Sequence, residues 1–198
     1  AVSCGTFAAP TSCSVTIANV VKYTFSNFAV TNATGTGGGA TYQAGDIAID
    51  VATGGGTSGL LTLRTASGGP TSGVVFFANA GSTSGIAFKY NVAIEPMGAA
   101  GVVFGSPFIL NLAIQSHAGD GFGSVQLITA GVQNCQAIAL SGSTQDNCVI
   151  PGGQPATLLV SQIMTLSGNT GNVSIGTFTN LFNVVTALGQ GLDIDGNG

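Results

Sequence analysis

The stretch CGTFAAPTSCSVTIANVVKYTFSNFAVT, from Cys4 to Thr31, decides how the rest of the chain is read. Val15, Ile17, Val20 and Val21, then Tyr23, Phe25, Phe28 and Val30, are β-branched or aromatic and mostly spaced by two, with a break between Ile17 and Val21 and a slip near Ser26-Asn27. A period of two puts one set of side chains on one face of an extended chain, and a one-residue slip is what a β-bulge produces. The stretch therefore predicts a small Cys-bounded loop opening into two strands, with the downstream chain laid against them as further strands.

Outward from this stretch, helical periodicity is almost absent and clusters of Gly, Ser, Thr and Asn interrupt the chain at short intervals, the rhythm of an all-β protein. Alternating or short apolar runs fall at Asp46 to Val51, Leu60 to Thr65, Gly73 to Asn79, Ile86 to Ile94, Val102 to Phe104 and Phe108 to Gln115. Others follow at Phe122 to Thr129, Ala137 to Leu140, Thr157 to Leu166 and Asn172 to Phe182. With the first two, that is about twelve strands, which suits a two-sheet antiparallel sandwich of jelly-roll type better than a small barrel. Segments 160–166 and 172–182, joined by Ser167 to Gly171, read as a hairpin. Turn runs such as Thr34 to Gly39 and Gly54 to Gly59 are loops inside one domain, placed at residues 1–185, since strand signals resume on both sides. No internal repeat is visible, which argues against a solenoid or propeller. Residues 186–198 lose the pattern and read as a linker or the start of a calcium-loop-like tail.

Composition excludes several functions. Charged residues are 5% of the chain, against roughly 25% in an ordinary soluble domain, and Lys22, Arg64 and Lys89 are the only bases. So few cations cannot neutralise a run of phosphates, and nucleic acid is excluded as a partner. Mean hydropathy is +0.50, yet the apolar runs are too short for a helical membrane span. The abrupt start at Ala-Val-Ser-Cys reads as the product of leader removal. Cys4 with Cys13, and Cys135 with Cys148, form two sequence-local pairs without the spacing of a zinc or thioredoxin site. They predict two local disulfides and an oxidising, extracellular or cell-surface location.

Residues able to carry chemistry are sparse. Asp193, Asp195 and Asn197, with Gly196 and Gly198, form the opening half of an EF-hand-like loop, whose alternate oxygens curl around calcium; a solvated Asp/Gly tail is the competing reading. The run Gly191 to Gly198 resembles the start of dockerin-like calcium segments, which implies an encoded chain continuing past Gly198. Ser116, His117 and Asp120 lie close in sequence, but neighbours on a strand point to opposite faces, and no G-x-S-x-G elbow occurs. Glu95 has no evident mate for glycosidase chemistry among Asp46, Asp50, Asp120 and Asp146. Gly35 to Ala40 fits a dinucleotide fingerprint only superficially, because no helix follows. Asn32-Ala-Thr34 and Asn172-Val-Ser174 match the glycosylation sequon, which hydroxyl-rich loops generate by chance. Tyr23, Tyr42 and Tyr90 are candidates to stack on glycans from one sheet face, with core or rim packing as the alternative.

Two stretches carry a resemblance. Cys4 to Cys13 leading into Tyr23-Thr-Phe25-Ser-Asn-Phe28, and Leu159 to Leu166 followed by Gly171 to Phe182, are similar to the ectodomains of PEP-CTERM (exosortase-substrate) surface proteins of Gram-negative bacteria. The resemblance implies an exported protein of the cell surface or exopolysaccharide matrix without enzymatic activity. The chain departs from that family at its end, with no Pro-Glu-Pro, apolar anchor or basic stop.

The expectation from these readings is a non-catalytic extracellular structural protein that associates with itself, as an oligomer, filament or sheath, because strand edges usually guarded by charge are here almost without it. The alternative is a carbohydrate-binding or adhesive module engaging matrix polysaccharide.

Overall fold

A computed structural model describes residues 1–66, 76–98, 102, 104, 109–115, 118–129, 132–139, 144–149 and 155–185. The strands are β1 (Val2–Thr6), β2 (Ala9–Pro10), β3 (Cys13–Ile17), β4 (Val21–Thr36), β5 (Ile47–Gly55), β6 (Ser58–Thr65), β7 (Phe76–Ala78) and β8 (Thr83–Pro96). They continue with β9 (Ile109–Gln115), β10 (Phe122–Thr129), β11 (Val132–Ala139), β12 (Thr144–Val149), β13 (Thr157–Ser167), β14 (Val173–Ile175) and β15 (Thr177–Asn183). A short 3-10 turn, Ala44–Asp46, precedes β5, and the described residues include no α-helix.

Two sheets pack face to face as an antiparallel sandwich of jelly-roll type. Seven strands run in the order β12-β9-β15-β6-β5-β1-β2, and six in the order β11-β10-β13-β8-β4-β3. A third, two-stranded sheet pairs β14 with β7. Alternation explains the layers. On β8, Ile86, Phe88, Tyr90, Val92 and Ile94 point inward and are buried, while Ala87, Lys89 and Asn91 point outward. Facing them, β6 buries Leu61 and Leu63, and β15 buries Phe178 and Phe182. Each large apolar side chain buried in this way contributes about 1.5–3 kcal/mol.

The slip expected near Ser26-Asn27 is present. The pairing of β4 with β8 loses register between Ser26 and Ala29, and Asn27 sits at φ 56°, a left-handed conformation that Asn tolerates better than most residues. The extra residue returns Phe28 to the side already taken by Tyr23 and Phe25, and all three are buried. The β3–β4 pair lies at one end of its sheet: β3 is an edge, and β13 and β8 lie at the centre.

Cys4 and Cys13 are bridged, with Cα atoms 5.7 Å apart. The bridge joins β1 of the seven-stranded sheet to β3 of the six-stranded one, so it crosses between the layers. Cys135 and Cys148 fall on β11 and β12, and their side chains lie outside the described residues.

The hairpin expected from 160–166 and 172–182 does not form. β13 pairs with β8 and β10 in one sheet, β14 with β7, and β15 with β6 and β9 in the other. The connecting turn is held elsewhere: Gly81 N–H donates to the Gly168 carbonyl at 3.0 Å and Gly168 N–H to the Ser82 carbonyl at 2.8 Å. Gly168 is needed there because a Cβ would collide with the Asn79 carbonyl oxygen. Alternation is identical for a strand that turns back and one that crosses to the opposite layer, so the apolar pattern cannot separate the two.

Candidate functional site

The three tyrosines are core residues. Tyr23, Tyr42 and Tyr90 are all 0% exposed, which removes them as glycan-stacking surfaces. Tyr42 and Tyr90 end a chain of rings that runs Tyr42, Phe76, Phe178, Phe88, Phe7, Phe28, Tyr90, with neighbouring centroids 5.2–5.8 Å apart. Their hydroxyls are engaged as buried polar groups require. Tyr23 donates to the Thr57 carbonyl at 2.6 Å, and Tyr42 accepts the Phe77 N–H at 2.7 Å.

Burial pushes the Tyr23 and Tyr90 hydroxyls well above their ordinary value, with a Val184 backbone contact partly offsetting this at Tyr23. A phenol whose folded pKa is raised ionises more readily in the unfolded chain. Its stabilising contribution is therefore complete below the ordinary value of 10.0 and is lost as pH rises from there toward the folded values. The expected result is an unfolding transition above that pH in which phenolate absorbance and loss of near-ultraviolet circular dichroism coincide; phenolate appearing well before unfolding would contradict it.

Tyr90 also belongs to a buried polar triad that ties the two sheets together. Gln162 Nε2 donates to Asn180 Oδ1 at 2.9 Å, and Asn180 Nδ2 donates back to Gln162 Oε1 at 2.8 Å. Asn180 Nδ2 also reaches the Tyr90 oxygen at 3.1 Å, and the Tyr90 hydroxyl donates to Gln162 Oε1 at 3.3 Å. Tyr90 and Gln162 come from β8 and β13, Asn180 from β15 of the opposite sheet. The group lies in the packed interior, where it serves architecture.

The accessible candidate is the outer face of the six-stranded sheet. Register aligns Asn32, Ala87, Ile163, Gln126 and Gln136 in one row across five strands. The next row holds Thr34, Gly85, Thr165, Ser124 and Ile138. Over the small residues Gly85 and Ala87 the face dips into a trough of about 130 Å³, walled by Asn32 and Thr34 on one side and Ile163 and Thr165 on the other. Gly85 keeps it open, since a Cβ there would stand 3.0 Å from Thr34 Oγ1. The trough carries no charged side chain. Lys89 is exposed one outward position along β8, and Lys22 pairs with Glu95 at 3.6 Å farther along the same face. Ile163 and Leu159 add apolar surface, 36% and 54% exposed. Hydroxyls and amides that both donate and accept, beside aliphatic carbon, suit a neutral polyhydroxylated ligand.

The remaining sequence candidates are dispersed. Among the described carboxylates, Asp50 accepts from Arg64 Nε at 2.6 Å, Glu95 pairs with Lys22, and Asp46 accepts the Gln43 N–H at 2.7 Å. Asp120 is exposed in the loop before β10. The glycine run Gly35 to Gly39 ends β4 in a turn, with Gly39 N–H donating to the Thr36 carbonyl at 2.9 Å. Asn172 of the second sequon accepts the Ala80 N–H at 2.8 Å. Ser116, His117 and the calcium candidates Asp193, Asp195 and Asn197 lie outside the described residues; among those that are described, no three metal-ligating side chains cluster. No helix among the described residues is long and apolar enough to cross a membrane.

No protein-family model matches the chain, and no curated protein matches it. Solved structures of similar shape include the CBM36-1 domain of a multidomain xylanase from the hindgut metagenome of Trinervitermes trinervoides. That likeness has a TM-score of 0.31 and 15% identity, and covers 76% of this chain and 96% of the other. TmCBM61 in complex with β-1,4-galactotriose has a TM-score of 0.30 at 4% identity, over 66% of this chain and 86% of the other. The family 11 carbohydrate-binding module of Clostridium thermocellum, in complex with a β-1,3-1,4-mixed-linked tetrasaccharide, has a TM-score of 0.27 at 10% identity, over 93% and 96%. At this level of likeness no site residue is carried across.

Proposed function

We propose that the chain is a non-catalytic module that holds a neutral polysaccharide strand across the outer face of its six-stranded sheet. The observation that carries this reading is the uncharged trough over Gly85 and Ala87, with Asn32, Thr34 and Thr165 as hydrogen-bonding walls and Ile163 as an apolar contact. Without a stacking aromatic among its lining residues, each sugar is held by a few hydrogen bonds worth about 0.5–1.5 kcal/mol apiece, so affinity accumulates along a chain of sugars. The Cys4–Cys13 bridge suits an oxidising setting, and an exopolysaccharide matrix at the cell surface, as the PEP-CTERM resemblance implies, supplies such a ligand.

The xylanase of which one similar domain is part, and the galactotriose and mixed-linked tetrasaccharide bound in two others, choose the first probes. Affinity electrophoresis in gels containing xylan, galactan or mixed-linkage glucan should retard the chain in at least one. Ala87→Leu fills the trough from an outward position and should abolish retardation. Thr165→Val removes one hydroxyl at constant shape and should weaken it about fivefold. Retention undiminished in Ala87→Leu, or no retention by any neutral polysaccharide, would sink the proposal.

A further inference from the structure

The open end of the six-stranded sheet carries a second surface. Among the described residues, β3 (Cys13–Ile17, CSVTI) pairs with β4 and with no other strand, so its far flank ends the sheet there. Sheet edges are ordinarily blunted by Lys, Pro or a bulge, because their unpaired N–H and C=O groups invite another strand. β3 contains neither charge nor proline and pairs with β4 without a register break. Beside it opens a cleft of about 300 Å³, lined by Ser14, Val15 and Thr16 together with Val2 and Val51. Val2, at 65%, is among the most exposed large apolar side chains. An uncharged strand edge, a cleft along it and an apolar side chain standing at its rim meet on one surface.

We propose that two copies of the chain pair through β3, antiparallel and centred on Val15, so that their six-stranded sheets run on into one. The segment is self-complementary in that arrangement. Val15 faces Val15 of the second copy, and Ser14 faces Thr16, placing hydroxyl opposite hydroxyl on the outer face, where both side chains are exposed. Such cross-strand pairs are favourable. No like charges meet: Lys22, across from Thr16 on β4, is bound to Glu95. The two copies' Lys22 side chains would stand three strand spacings apart, roughly 14 Å, beyond the screening length of about 8–10 Å. Joining at this edge sets the two outer faces side by side as one continuous surface. The pairing does not depend on what that face binds.

Sedimentation of the intact, oxidised chain over a concentration series tests the pairing, because the antiparallel register makes position 14 the partner of position 16. S14E/T16E places carboxylates opposite carboxylates between copies, and should raise the dimer dissociation constant at least about thirtyfold. Within one copy, the new carboxylate at position 16 faces Lys22, so folding is not penalised and the thermal midpoint should hold. S14K/T16E instead opposes unlike charges and should dimerise within about tenfold of the parent. A parent chain that remains monomeric up to about 1 mM, an S14E/T16E variant that dimerises as tightly as the parent, or equal loss in both variants would each overturn the proposal.

Discussion

Replacing Asn180 with leucine is expected to destabilise the fold by about 3 kcal/mol, an effect large for a change that keeps the branched shape of the side chain. Asn180 is 0% exposed and exchanges hydrogen bonds of 2.8 and 2.9 Å with Gln162, which is equally buried. Leucine would leave Gln162 Nε2 without its partner in the interior, and an unsatisfied buried donor costs about 1–3 kcal/mol, with lost interactions at Gln162 Oε1 and Tyr90 added. The set behaves differently from its members. Tyr90→Phe, Gln162→Leu and Asn180→Leu together leave no orphaned group, and should recover most of the loss, since apolar replacement of a whole buried network is often near neutral. Urea unfolding of parent, single and triple variants at unchanged slope measures both. A triple variant as unstable as the sum of its singles would show that the three side chains do not act together.

Phe178→Ala is expected to cost more, about 3–5 kcal/mol. Its ring packs against Phe76 at 5.5 Å and Phe88 at 5.8 Å, so it links the small β7–β14 sheet and both large layers. Truncation removes buried apolar area and leaves a cavity that strands fixed by their ladders cannot close. Phe178→Leu, which keeps most of the volume, should cost less than half as much. Equal losses for the two would mean that the site collapses around the smaller side chain, contrary to the packing described.

What could be read from the sequence follows from the range over which each feature is determined. The inward side of β8 and the bulge at Asn27 depend on neighbours within a few residues, and alternation exposed both. The polar triad was legible in principle: Gln162 interrupts the inward series Leu158, Val160, Met164, Leu166, and Asn180 sits between Phe178 and Phe182. β12, with the sequence TQDNCV, shows no alternation and becomes a strand by pairing with β9. The tyrosines were ambiguous because a large amphipathic ring fits a core position and an exposed one equally well until its face is known. The trough requires Gly85 and Ala87 to lie between Thr34 and Thr165 and between Asn32 and Ile163, and that register joins segments far apart in the chain. No local signal carries it.

The bridge between Cys4 and Cys13 also determines how the molecule meets tension. A pull on the backbone at Ala1 can peel only the residues ahead of Cys4 before the covalent link passes the load directly to Cys13, leaving Ala9–Pro10 and the rest of the small ring slack. From there the load enters β3, in the layer opposite β1. Traction at the amino end is thus shared between both layers and is not borne by β1 alone.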